Sequence, residues 1–70
     1  MVPLTLTEIG VEQVIQRIGG KPEVKKHLEN LGFVAGGSVT VRNMLGGSVI
    51  VSVKEARVAI SEELAREIMV

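Results

Sequence analysis

Hydrophobic residues recur at helical spacing between Pro22 and Gly32, and the pattern changes to alternation a few residues later. Val24, Leu28 and Leu31 are four and three residues apart, so they share one stripe of a helix that must face a core. Proline is favoured at the first helical position, and glycine is favoured just beyond the last one. We therefore predict a short helix that starts at Pro22 and is stopped by Gly32.

Alternation with a period of two begins at Ser38 and predicts a β-strand with Val39 and Val41 on one face and Thr40 and Arg42 on the other. Comparable patterns and turn signals predict five strands in all, over residues 12–18, 38–44, 48–53, 57–60 and 68–70. The paired glycines after Leu45 supply the positive φ angles of a tight hairpin between the second and third strands.

A second, shorter helical turn is expected near the end of the chain. Ser61 can cap it, and Glu62 and Glu63 lie in its first turn, where the helix dipole favours negative charge. Five short strands with one inserted helix and this helical turn predict a mainly β fold. The fold class is a small, partly open β-barrel of the SH3-like kind.

Composition narrows the class of protein. The chain of 70 residues is 46% hydrophobic, and Phe33 is its one aromatic residue. This length predicts a single domain over residues 1–70. A β-branched, aromatic-poor core suits a closed sheet better than a ligand pocket lined by rings.

The net charge, the lack of cysteine and the short apolar runs exclude several other classes of protein. Eight basic and eight acidic side chains cancel, so no overall field attracts nucleic acid or an anionic membrane. The absence of cysteine excludes disulfides and thiolate metal sites. No apolar run approaches the ~20 residues of a membrane span, and the first residues lack the features of a signal peptide. We therefore expect a cytoplasmic protein.

Few side chains are candidates for chemistry. His27 is the single histidine and follows Glu23 by one helical turn. This pair is either a weak metal contact or a structural pair near the helix end, and we favour the structural interpretation because two ligands do not complete a stable site. The remaining glutamates have no acid/base or calcium-loop spacing. Glu62 is expected to pair with Arg66 one turn later. We therefore predict no catalytic residue and no metal ligand.

Three other features have structural interpretations beside functional ones. The three pairs of adjacent glycines lack the spacing of phosphate loops and are interpreted as turns. Met44 and Leu45 lie at the hairpin tip, where they either fold back onto the sheet or meet a partner. A basic cluster near the helix start is either a solvated face or a docking patch, and it consists of Arg17, Lys21, Lys25 and Lys26.

Three segments of the chain resemble the motifs of a known family. Residues 28–41, Leu-Glu-Asn-Leu-Gly-Phe-Val-Ala-Gly-Gly-Ser-Val-Thr-Val, resemble the "leucine-x-x-leucine-glycine, hydrophobic pair, x-glycine" signature of the FeoA proteins of bacterial ferrous iron uptake. Residues 58–70 are similar to the closing segment of that family, and residues 6–10 are similar to its opening. The SH3-like carboxyl-terminal domain of iron-dependent repressors shares the pattern.

The resemblance implies a non-enzymatic, cytoplasmic accessory protein that regulates or assembles with the membrane ferrous iron permease FeoB. It also implies an association with Fe²⁺, while no tightly bound cofactor is expected. Under this hypothesis the partner-binding surface combines exposed residues of the helix, of a strand and of the hairpin tip: Lys25, Lys26, Glu29, Arg42, Met44 and Leu45.

Two other functions stay open. One is a small metal-responsive regulator in which His27 and nearby glutamates sense Fe²⁺. The other is a nucleic-acid-binding SH3-like barrel. The zero net charge and the single aromatic residue argue against this last class, because they supply little phosphate attraction or base stacking.

Overall fold

Six β-strands and two α-helices make up the computed structural model, which describes all 70 residues. A single 3₁₀ turn at Leu4–Leu6 precedes them and was not predicted from the sequence. In chain order the elements are β1 (Glu12–Val14), β2 (Arg17–Ile18), α1 (Pro22–Asn30), β3 (Ser38–Leu45), β4 (Ser48–Val53), β5 (Ala56–Ser61), α2 (Glu62–Ala65) and β6 (Ile68–Met69).

The larger sheet is antiparallel and has the strand order β1-β3-β4-β5. The predicted glycine hairpin joins β3 to β4, and Gly46 and Gly47 have φ angles of 47° and 87°. Positive φ at both central positions is typical of the two-residue turns whose twist matches that of the flanking strands. A second tight turn connects β4 to β5, so these three strands form a meander.

The predicted single strand over residues 12–18 is wrong, because this segment is divided between two sheets. β1 pairs with β3, whereas β2 pairs with β6. The change occurs between Ile15 and Gln16, whose amides donate to the carbonyl oxygens of Gly37 and Met69, each at 2.8 Å. Ile15 is buried at this corner. The chain bends here because successive amides bind different sheets.

β6 closes the barrel beside β2, as the pattern of the last residues predicts. Ile18 lies opposite Ile68 in this small sheet, and Pro3 forms an isolated bridge with Met69. The result is the mainly β, partly open SH3-like barrel that the sequence predicts, with six strands in two sheets in place of five.

The helix α1 packs on the core through the predicted stripe. Leu28 is fully buried, and Val24 and Leu31 are partly buried against the core. The helix stops where predicted: Gly32 has a φ angle of 107°, and its amide donates to the carbonyl oxygen of Glu29 at 3.0 Å. Thirteen apolar side chains form one continuous core. They are Leu4, Ile15, Ile18, Leu28, Phe33, Val39, Val41, Val49, Val51, Val53, Ile60, Ala65 and Ile68.

The strand β3 contains a β-bulge. Val41 lies opposite Val51, but Asn43 lies opposite Ile50, so Arg42 is an additional residue in the ladder. If residue 42 were instead paired in a regular ladder, continued alternation would place Asn43 on the core face with Val41. The bulge therefore keeps a polar amide out of the core.

The helical turn α2 is capped as predicted. The Leu64 amide donates to the Ser61 Oγ at 3.2 Å. Arg66 and Glu62 form the expected pair one turn apart, with an N–O distance of 3.6 Å between exposed side chains. This is the one ion pair of the structure, and an exposed pair of this kind contributes little to stability.

Candidate functional site

The six residues predicted to bind a partner lie in three places. Lys25 and Glu29 are exposed on α1 and line one cleft of about 290 Å³ together with Arg17 of β2. Lys26 is exposed on the same helix. Arg42 lines a separate cleft on the larger sheet. The structure therefore brings Lys25 and Glu29 together but places Arg42 elsewhere.

The last two predicted residues, Met44 and Leu45, lie at the end of β3. Met44 lies opposite the buried Val49 and Leu45 opposite the exposed Ser48, so they point to opposite faces of the sheet. The two residues remain 39% and 56% exposed. Met44 thus faces the core side, but neither side chain is fully covered by the fold.

The edge of β3 beside Met44 has no strand partner. β1 pairs with β3 only as far as Thr40, and the amide of Gly10 donates to the Val41 carbonyl at 2.8 Å just beyond it. Further along, the Asn43 Oδ1 accepts the Met44 amide at 2.8 Å. An unpaired edge is a template for an additional strand, and Asn43 blocks one donor of this edge with its own side chain.

Exposed apolar residues of the N-terminal segment lie beside β3 at Val41. Ile9 and Val11 are 55% and 44% exposed, and they flank Gly10, which is bound to β3. We call Ile9, Val11, Met44 and Leu45 the apolar rim. Sequence reasoning missed its first half, although apolar residues outside every predicted element were a signal that could have indicated it.

Metal-ligating groups do not converge in the structure. Glu23 and His27 are exposed on α1, and no group of three or more His, Cys, Asp or Glu side chains is placed to hold a metal ion. No helix has the length and apolarity needed to cross a membrane.

Several known proteins are similar to this chain. The family model of the FeoA domain matches residues 2–70. The structure of an iron uptake regulatory protein (FeoA) superposes with a TM-score of 0.86 at 28% identity, covering 96% of this chain and 89% of that chain. No curated protein matches the sequence significantly.

Two more distant structures share the fold. Iron(II) transport protein A from Clostridium thermocellum has a TM-score of 0.88 at 20% identity, over 96% of this chain and 43% of that chain. A manganese-dependent transcriptional repressor has a TM-score of 0.85 at 19% identity, over 94% of this chain and 38% of that chain. This chain therefore spans less than half the length of either protein.

The FeoA domain is a small accessory domain of iron transport and is not a known enzyme family. Its family model matches almost the whole chain, and the motifs in residues 28–41 and 58–70 lie within the match. This protein belongs to the FeoA family.

Proposed function

We propose that this protein is a non-enzymatic, cytoplasmic accessory protein of ferrous iron uptake that docks onto the cytosolic part of an FeoB-like permease. Residues 1–70 act as one interaction module in this proposal. Membership of the FeoA family supports the link to iron transport. The observation that supports docking is the apolar rim, where Met44 and Leu45 stay exposed beside an unpaired strand edge.

The apolar rim has the chemistry of a protein-binding edge. A partner segment that adds to β3 gains main-chain hydrogen bonds, while its alternate side chains meet flanking apolar groups. Full burial of one large apolar side chain is worth about 1.5–3 kcal/mol. Since Met44 and Leu45 are both partly exposed, a partner can gain a substantial part of that energy here.

The charged residues of α1 serve a different purpose in the same proposal. Lys25, Lys26 and Glu29 are exposed, and none of them is in an ion pair. Charges at the margin of an interface mainly change association rate and specificity. We therefore assign the binding energy to the apolar rim and the orientation of the partner to α1.

We expect the isotope-labelled protein to bind the purified cytosolic part of the permease in an NMR titration. Amide resonances of Gly10 and of residues 41–47 should shift and saturate. The double variant Met44→Ser/Leu45→Ser should weaken binding by about tenfold or more, because it removes apolar area from the interface.

The matched control is Val14→Ser, which removes a side chain that is 50% exposed at the other end of the larger sheet. This variant should bind like the wild type. No shift at near-millimolar concentrations of the permease part would contradict the proposal. Shifts confined to α1 would show that the apolar rim is not the docking surface.

A further inference from the structure

A polar cleft lies on the outer face of the larger sheet. Its volume is about 210 Å³, and Val53 is its one hydrophobic lining residue. Sites for drug-like ligands are mostly apolar, so this lining suits a small charged group better. The polar side chains that line it are Glu12, Ser38, Thr40, Arg42, Ser52 and Lys54.

Arg42 is held in place within the polar cleft. Its Nε donates to the Ser52 Oγ at 2.8 Å, which fixes the guanidinium over β4. The two terminal nitrogens keep their N–H groups for other acceptors. No carboxylate forms an ion pair with Arg42. A positioned guanidinium with free terminal donors is suited to bidentate binding of an oxyanion.

Lys54 supplies a second unpaired cation. It follows β4 in a left-handed conformation with a φ angle of 56°, and its ammonium group has no carboxylate within 4.0 Å. The side chain runs past Gly32, where an added Cβ atom would lie 3.9 Å from the Lys54 Cδ. The lysine stem therefore lies beside Gly32 in the lining of the cleft.

Thr40 adds a hydroxyl group at the floor of the cleft. The residue is 8% exposed, and its hydroxyl makes no hydrogen bond with another protein group. It lies between Glu12 on β1 and Ser52 on β4 in the register of the sheet. Since no buried side-chain oxygen of the protein lacks a hydrogen-bond partner, this hydroxyl is open to solvent in the cleft and is available to a ligand.

Two groups oppose the binding of an anion. Glu12 lies one strand away from Thr40, about 5 Å in strand spacing, and its carboxylate repels negative charge. The C-terminal end of α1 also approaches at Gly32, but the carbonyl oxygens of Leu28 and Glu29 already accept the amides of Phe33 and Gly32. The balance of charged side chains in the cleft remains positive, with two cations against one carboxylate.

We propose that the polar cleft binds a small oxyanion, a carboxylate or a phosphate group, through the Arg42 guanidinium, the Lys54 ammonium and the Thr40 hydroxyl. Arg42 forms paired hydrogen bonds with two oxygens of the group. Lys54 contributes a second positive charge, and the Thr40 hydroxyl donates a hydrogen bond. This function is independent of docking at the apolar rim.

The test is an NMR titration of the isotope-labelled protein with inorganic phosphate and, separately, with acetate, at constant ionic strength set by sodium chloride. We expect saturable shifts of the amides of Thr40, Arg42, Ser52 and Lys54 in the millimolar range with at least one of the two anions. Binding of acetate alone would identify a carboxylate site, and binding of phosphate alone would identify a phosphate site. Binding of both anions would show that the cleft recognises the oxyanion chemistry that they share.

Variants test the assigned residues. Arg42→Gln and Lys54→Asn should each weaken binding by about fivefold or more, whereas Glu12→Gln should tighten it by a similar factor, since each changes one charge near the anion. Asparagine tolerates the left-handed conformation at position 54. The controls are Arg66→Gln and Glu63→Gln, which each remove one positive or one negative charge outside the cleft. They should leave the affinity unchanged.

Three results would overturn the proposal. One is a linear, non-saturating response to both anions through tens of millimolar. Another is an equal response to chloride alone, which would indicate general screening of surface charge. The third is a loss of affinity in Arg66→Gln as large as in Arg42→Gln. The dispersion of each variant's spectrum shows whether it is folded, so loss of binding is separable from loss of structure.

Discussion

At the scale of single residues, Lys54 is the one residue other than glycine with a positive φ angle, 56°. The strands predicted over residues 48–53 and 57–60 leave a connection of three residues at 54–56. The structure shortens it to Lys54 and Glu55, because Ala56 already begins β5. The left-handed conformation costs an L-residue roughly 1–2 kcal/mol. The residue in this conformation lines the polar cleft.

Replacement of Lys54 by glycine should therefore stabilise the protein. We expect the free energy of unfolding of Lys54→Gly to rise by up to about 1 kcal/mol, because relief of strain exceeds the added entropy of the unfolded chain. Urea denaturation measures this change. The control Lys26→Gly, within α1, should instead lose about 1 kcal/mol. Equal losses in both variants would show that no strain is stored at position 54.

At the scale of elements, the capped turn α2 connects β5 to the closing strand β6. Its cap is a single hydrogen bond from the Leu64 amide to the Ser61 Oγ. Ser61→Ala should lower the free energy of unfolding by about 1 kcal/mol, as is usual for loss of such a cap.

Chemical denaturation of Ser61→Ala is compared with that of Ser48→Ala. The difference between their free energies of unfolding gives the contribution of the cap. Ser48 is exposed in β4 and makes no side-chain hydrogen bond, so its replacement should change stability by only a few tenths of a kcal/mol. If the two variants are equally stable, the cap does not stabilise α2 in solution.

Elements defined by neighbouring residues were predictable from the sequence. The helix with its glycine stop, the two-glycine hairpin and the capped turn depend on local spacing and turn chemistry, and the structure confirms them. The division of residues 12–18 was not predictable, because an apolar run gives no sign that Ile15 and Gln16 bind different sheets. Pairing partners far along the chain decide that bend.

The candidate sites, too, were predictable from the sequence only in part. Met44 and Leu45 could be identified from the sequence as apolar residues at a hairpin tip, but their open edge depends on where β1 ends along β3. The polar cleft brings together Glu12, Thr40 and Ser52 through strand register. Alternation alone cannot supply that register, since it does not reveal the bulge.

At the scale of the whole molecule, one core joins α1 to both sheets. Leu28 is fully buried in it. Loss of a buried leucine side chain to alanine typically costs 2–5 kcal/mol, depending on how far the cavity collapses. A domain of this size rarely has more than about 3–5 kcal/mol of stability from its core. Leu28→Ala should therefore be largely or partly unfolded at room temperature.

Circular dichroism and thermal melting of Leu28→Ala test this expectation. Lys25→Ala, on the exposed side of the same helix, provides the matched control and should melt close to the wild type. A melting temperature of Leu28→Ala near that of the control would show that burial of this side chain contributes little to the stability of the fold.

The bulge in β3 also determines where this strand can change length. Removal of residue 42 would leave Val41 opposite Val51 and Asn43 opposite Ile50, as they are now. Removal of Val41 would instead bring an arginine opposite Val51, towards the core. Position 42 is therefore the place in β3 where a one-codon deletion is compatible with the fold, and where an alignment of FeoA domains can place a gap.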